Sequence, residues 1–318
     1  MSKLNVSLAP HINSGVSTHN IMLDVVIAMI PASIAAVVLF GLQALWIILT
    51  CVASAVLSEL LFNLITKRKQ TIGDCSAIVT GLLLALNLST NVPLWQCVIG
   101  SVFAIIVVKS LFGGLGHNIV NPAIAARVFM LLTFAAVAGG AQVSDFVLGD
   151  KAAELTASAT PLAFLNEGVG AMDQAPTLLQ LFLGTHGGAI GETCALALLI
   201  GFVYLVVRKV IKWYVPVSFI ATVFVCYLVF TGDVTYSLAQ VLAGGLLLGA
   251  IFMATDYVTT PTTGLGRVVF CVGCGLLTFA IRQFGSYPEG VSIAILTMNL
   301  LTPFISDWTK KKTLGGVK

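Results

Sequence analysis

The sequence predicts an all-α integral membrane protein, with about ten transmembrane helices in a five-plus-five inverted repeat that includes broken or short helices. Three observations lead there. Of 318 residues, 58% are hydrophobic and only 9% charged, and the mean hydropathy of +1.02 lies outside the range of soluble globular domains. Apolar runs of about 15 to 22 residues recur along the chain, the length a helix needs to cross a bilayer. The two halves also resemble each other, because Gly73-Asp74 and Gly81-Leu82-Leu83-Leu84-Ala85 reappear as Gly232-Asp233 and Gly245-Leu246-Leu247-Leu248-Gly249.

The spans fall, in order, at residues 21–40, 44–65, 76–88, 94–112, 122–138, 193–210, 215–231, 238–253, 268–284 and 291–305. The first twenty residues are polar, and the first apolar run carries Asp24 and leads into further spans, as expected of an uncleaved anchor rather than a signal peptide. Five crossings in each half would place the halves in opposite senses in the membrane. Residues 1–138 form the first repeat, 139–192 an extracytoplasmic loop, and 193–318 the second repeat.

Basic residues set the orientation, since Lys and Arg are retained on the cytoplasmic side of short loops. Lys67-Arg68-Lys69, then Arg208, Lys209 and Lys212, then Arg267, then Lys310-Lys311-Lys312 are separated by even numbers of crossings. Both termini are therefore expected on the cytoplasmic side of the cell membrane. The loop at 139–192 falls on the other face, and its only Lys or Arg is Lys151.

Span three is short and ends in Asn87-Leu88-Ser89-Thr90-Asn91-Val92-Pro93, while span eight runs into Ala254-Thr255-Asp256-Tyr257-Val258-Thr259-Thr260-Pro261. Non-helical backbone at membrane depth must line a cavity or be buried in protein, because lipid cannot satisfy its polar groups. These two segments mark a central site.

Composition excludes several classes. A net charge of +3 from 16 basic and 13 acidic side chains is too weak and scattered to bind nucleic acid. Partners should lie in or beside the lipid bilayer. Most of the seven cysteines sit inside apolar runs, and Cys271 and Cys274 have no second Cys or His pair nearby, so no metal site is expected. There is no Gly-rich dinucleotide fingerprint and no iron–sulfur cysteine set.

Charges in or beside the spans are expensive in lipid, so each requires a partner, a cavity or an interface. Lys109, Arg127 and Arg267 fall near predicted cytoplasmic ends, where snorkelling accounts for them. Asp24, Glu59 and Asp256 are candidates for ion coupling, by binding a cation or relaying a proton. Ion pairing to neighbouring helices is the structural alternative.

Within the polar loop, Thr156-Ala157-Ser158-Ala159-Thr160-Pro161-Leu162 presents hydroxyls where water and enzymes can reach them. On local rules Thr160-Pro161 starts a helix, with Thr as N-cap and Pro in the first turn.

Several segments taken together carry a resemblance: Ser7-Leu8-Ala9-Pro10-His11 with Ile21-Met22-Leu23, Gly73-Asp74-Cys75-Ser76-Ala77 with the leucine-rich third span, Asn121-Pro122-Ala123, and Ala254-Thr255-Asp256 with Thr262-Thr263 and Gly266-Arg267. In this order they resemble the RnfD subunit of the Rnf electron-transport complex and its relative, the NqrB subunit of the sodium-pumping NADH:quinone oxidoreductase. The resemblance implies a membrane subunit of an ion-pumping ferredoxin:NAD oxidoreductase, a translocase, that relays electrons and contributes to Na+ or H+ translocation beside the other subunits. It further implies FMN joined through its phosphate to Thr160 by a separate flavin transferase, with Thr156, Ser158, Ala159, Pro161 and Leu162 around it. Ser158 stands where the family has Gly, Ala157 where it has Ser or Thr, and Glu154 where it has Asp. A second, non-covalent riboflavin is implied for the loop carrying Thr259, Thr260, Thr263 and Arg267, which local rules read simply as a hydroxyl-rich helix connection. A redox-silent transporter and an architectural subunit are the competing classes on sequence grounds.

Overall fold

A computed structural model describes residues 17–134, 161–166, 176–285 and 289–310. Thr156, Ser158, Ala159 and Thr160 lie outside the described residues, as do Lys151 and the Ser7–His11 motif. Among the described residues the chain is helical, with no β-strand.

The first run comprises α1 (Thr18–Phe40), α2 (Leu42–Ile65), α3 (Ser76–Leu86), α4 (Leu94–Ser110) and α5 (Pro122–Thr133). Two short helices follow, α6 (Pro161–Asn166) and α7 (Leu178–Leu183). The second run comprises α8 (Ala195–Val207), α9 (Tyr214–Thr231), the broken pair α10 (Val234–Leu242) and α11 (Leu246–Met253), α12 (Gly264–Phe284) and α13 (Val291–Trp308). Five of these helices are long and apolar enough to span a bilayer, the pair α10–α11 bends by 66°, and α3, α4, α5 and α8 are shorter apolar helices. All ten hydrophobic segments of the sequence thus reappear as helices in a multi-pass membrane protein.

Leu57, Val229, Phe304 and Trp308 are among many large apolar side chains on the outside. That apolar exterior suits lipid or neighbouring subunits, since water would penalise it. α1 packs on α8, α2 on α3 and α4, α9 on α10 and α12, and α13 on α12 and α5.

The repeated Gly-Asp pairs perform the same task. Asp74 Oδ1 accepts from the Ser76 backbone N (2.9 Å) and Ser76 Oγ (2.5 Å) at the start of α3. Asp233 Oδ1 accepts from the Thr235 N (2.8 Å) and Thr235 Oγ1 (2.7 Å) at the start of α10. Each acid satisfies an orphan donor of the first turn.

Two expectations shift in detail. Span eight is continuous helix neither from 238 nor to 253, because Ala243-Gly244-Gly245 interrupts it. Gly244 turns the chain with φ +69°, a value that a β-carbon penalises. The winding also widens to π-helix at Phe103–Ser110 and Gly249–Met253. On the first of these stretches Ala104, Ile105, Val108 and Lys109 turn inward.

Candidate functional site

Two groups of buried charge lie at opposite ends of the helices. One end carries Lys67, Arg68, Arg208, Lys209 and Arg267 and is called the basic end.

At the basic end Lys109 is 2% exposed, and its Nζ donates to Glu59 Oε1 (3.0 Å) and Ser76 Oγ (2.6 Å). Thr71 donates to the same Glu59 oxygen at 2.6 Å. Lys109 therefore does not snorkel, because α2, α3 and α4 enclose it and supply an anion. Asp24 pairs with Arg208 (3.2 Å) and accepts from the Tyr204 hydroxyl (2.9 Å), tying α1 to α8. Among the described residues Asp256 receives the Val258 N (3.3 Å) and the Thr259 hydroxyl (3.0 Å) and forms no ion pair.

Lys109, Ser76, Asn118 and Asp256 face a partly open cavity whose remaining walls include Leu83 and Phe252. A few polar groups among apolar walls are the mixture of surfaces that small-molecule sites use. The loop after α11 is mostly engaged with itself. Thr260 Oγ1 donates to Asp256 O (2.5 Å), Thr263 caps α12 through the Gly266 N (3.1 Å), and Arg267 Nε donates to Pro261 O (3.0 Å). Thr260 and Arg267 line a neighbouring cleft with Lys209 and Lys212, whereas Thr259 is buried and Thr263 bonds to Thr309.

The opposite end is built on the two helix breaks. Carbonyls at the end of α3 and just beyond it receive backbone donors, with Gly191 N on Leu86 O at 2.8 Å and Ile190 N on Leu88 O at 2.9 Å. At the break after α10 the guanidinium of Arg282 takes that role, donating to Gln240 O (2.6 Å), Ala243 O (3.2 Å) and Glu289 O (3.1 Å). Orphan carbonyls at a buried helix end require such donors. Between the breaks Arg127 donates to Glu192 Oε1 at 2.6 Å, and also to Glu289 and to the side chain of Asn87. Arg127 is 4% exposed. Like Lys109 it does not snorkel. It runs inward from α5 to carboxylates at the start of α8 and α13.

Helix α6 docks onto this end. Leu162 and Leu165 are buried, and the Tyr236 hydroxyl donates to Leu165 O at 2.6 Å. Each buried leucine contributes about 1.5–3 kcal/mol to that anchorage. Pro161 and Leu162 border a cleft of about 270 Å³ with His186, Glu192, Gly244 and Glu289. The chain immediately after Thr160 is thus fixed on the charged end, while the cleft is smaller than pockets that enclose a drug-sized ligand.

Sequence reasoning did not single out Glu192, Glu289 or His186. Their one signal was position: Thr185-His186-Gly187-Gly188-Ala189-Ile190-Gly191-Glu192 places an acid and a histidine in a glycine-rich stretch at the mouth of an apolar span. Among the described residues no group of three or more His, Cys, Asp or Glu could hold a metal ion.

A model of the NQR2, RnfD, RnfE family matches residues 5–315. The subunit designated D in the Na(+)-translocating ferredoxin:NAD(+) oxidoreductase complex of Acetobacterium woodii is 44% identical, over 100% of this chain and 98% of its own length. Its counterpart in the proton-translocating ferredoxin:NAD(+) oxidoreductase complex of Clostridium ljungdahlii is 37% identical, over 98% and 96%. The counterpart in the ion-translocating oxidoreductase complex of Stutzerimonas stutzeri is 35% identical, over 94% and 92%.

Proposed function

The chain belongs to the NQR2, RnfD, RnfE family, and from that premise we propose that it is the flavin-carrying membrane subunit of an ion-translocating ferredoxin:NAD oxidoreductase. It works within a complex of other subunits, as an intermediate electron carrier, and is not catalytic alone. FMN is joined to the Thr160 hydroxyl through a phosphoester made by a flavin transferase, on the extracytoplasmic face, with both termini cytoplasmic. The observation that carries this reading is the seating of α6: directly after Thr160, the buried Leu162 and Leu165 and the Tyr236 hydrogen bond fix the backbone. A flexible acceptor would let a tethered ring wander, whereas electron transfer between carriers needs a fixed approach.

When bound, the flavin supplies one-electron chemistry. The chain's own residues hold the tether, through α6, and set the surrounding charge through Arg127, Glu192, Glu289 and Arg282. The small cleft beside Pro161 does not enclose a ring, so the covalent bond is what retains the group.

For a non-covalent riboflavin, the partly open cavity at the basic end offers more than the threonine loop alone, because it has apolar walls and Lys109, Ser76 and Asn118 as polar contacts. Of the three acids, Asp256 borders this cavity and forms no ion pair among the described residues, whereas Asp24 and Glu59 are each tied to a cation. Asp256 is therefore the acid best placed to exchange a mobile ion. The two relatives named for sodium and for protons leave the ion to be measured on the reconstituted complex.

Flavin fluorescence tests the tether. After denaturing electrophoresis, wild-type chain made with an active transferase should fluoresce and Thr160→Ala should be dark. Fluorescence that survives in Thr160→Ala would refute this acceptor.

A further inference from the structure

The cleft beside Pro161 has buried polar atoms that make no hydrogen bond among the described residues. His186 is 3% exposed, and its Nδ1 lies 2.9 Å from the Gly187 carbonyl, which can only accept. Nδ1 therefore carries the hydrogen, the carbonyls of Leu181 and Thr193 also lie against the ring, and among the described residues Nε2 makes no hydrogen bond. Thr193 is 1% exposed, and its hydroxyl is likewise unpaired. Leaving such groups empty in the interior costs about 1–3 kcal/mol each, so native proteins fill the space between them with a water or a proton. Both residues border the same cleft as Glu192 and Glu289.

We propose that Glu192, His186 and Thr193 form a single-proton binding site around an enclosed water, exchanging its proton with the aqueous phase at the face where α6 docks. The proton resides on the Glu192 carboxyl, which donates to the water. The water in turn donates to His186 Nε2 and accepts from Thr193 Oγ1. On release the carboxylate reverts to its ion pair with Arg127, and the proton passes to bulk water. No electron moves in this step, and it does not depend on whether Thr160 carries a flavin.

The charges facing Glu192 come from three neighbouring elements: Arg127 of α5, Arg282 of α12, and Glu289 before α13. His186 faces it from its own segment, and burial keeps that ring below its ordinary range and hence neutral. Burial, then the Glu289 carboxylate, push Glu192 up to about 7 from an ordinary 4.5, while Arg127 and Arg282 oppose them. With all four ionised the set is neutral, so one proton leaves it with a net positive charge. A carboxyl raised in the folded state binds its proton more tightly than in the unfolded chain. This contribution to stability is therefore lost as pH rises through about 7.

Infrared difference spectroscopy of the full chain in membranes tests the site, scanned from about pH 5 to about pH 9 across the range of a strongly raised carboxyl. A protonated-carboxyl band should titrate with a midpoint of about 7 and vanish in Glu192→Gln. His186→Leu removes the acceptor of the protonated state and should lower the midpoint by about one pH unit, roughly a tenfold loss of proton affinity. Should Glu192→Gln fail to fold, His186→Leu carries the test alone. A wild type with no titrating band, a band that persists in Glu192→Gln, or a midpoint unmoved by His186→Leu would overturn the proposal.

Discussion

At the basic end Lys109 meets one carboxylate, Glu59, flanked by the hydroxyls of Ser76 and Thr71. At the other end Arg127 is shared by Glu192, Glu289 and Asn87, with Arg282 holding the adjacent helix break. Both groups are buried, yet they are built for different purposes. The first is a closed pair that stitches α2, α3 and α4 together beside a cavity. The second is an open network with two carboxylates for one shared guanidinium, set where two helices stop and where the chain after Thr160 is seated. A one-to-one pair has a single stable charge state, whereas a network with two competing acids can hold or release a proton at small cost.

Substitutions can break or sharpen this contrast. The largest effect is expected from Arg127→Ala, which strands two carboxylates and the Asn87 side chain. It should cost about 3–5 kcal/mol in unfolding measured on purified protein in detergent, and a loss below about 1 kcal/mol would mean that the network is not structural. Lys109→Met should follow at about 3 kcal/mol, but Lys109→Met combined with Glu59→Leu should recover most of that loss, as expected when an isolated buried pair is replaced by apolar groups. No such recovery is expected from Arg127→Met with Glu192→Leu, because Glu289 stays unpaired. Gly245→Ala comes next, since a β-carbon there would lie 2.4 Å from Glu192 Oε1. It should cost about 1–3 kcal/mol and displace the carboxylate from Arg127. Smallest are Asp74→Ala and Asp233→Ala, each expected to remove about 1 kcal/mol as lost caps. Unequal losses at these two sites would argue against their equivalence in the two halves.

The membrane architecture was legible because hydrophobic length is a strong signal. Each of the ten apolar segments is helical, span eight as the broken pair α10–α11, and the Gly-Asp pairs that hinted at a repeat each hold a helix start, at α3 and α10. The break inside span eight was less visible, since Ala243-Gly244-Gly245 is apolar and interrupts helicity through backbone torsion rather than polarity. Charges were the hardest to read. Lys109 and Arg127 looked like snorkelling residues because hydropathy records depth and not rotation about the helix axis. Their partners are distant in sequence, Glu59 by 50 residues and Glu289 by 162. Glu192 and His186 were hidden by lying in a loop, where an acid and a histidine ordinarily face water.

The central claim is that Thr160 carries FMN, and intact-mass measurement of the full chain tests it most directly. Chain produced with an active flavin transferase should be heavier than its sequence by the mass of FMN less water, with fragmentation placing the addition on Thr160 and none in Thr160→Ala. A wild-type chain at its unmodified mass, or an addition on any other residue, would contradict the account.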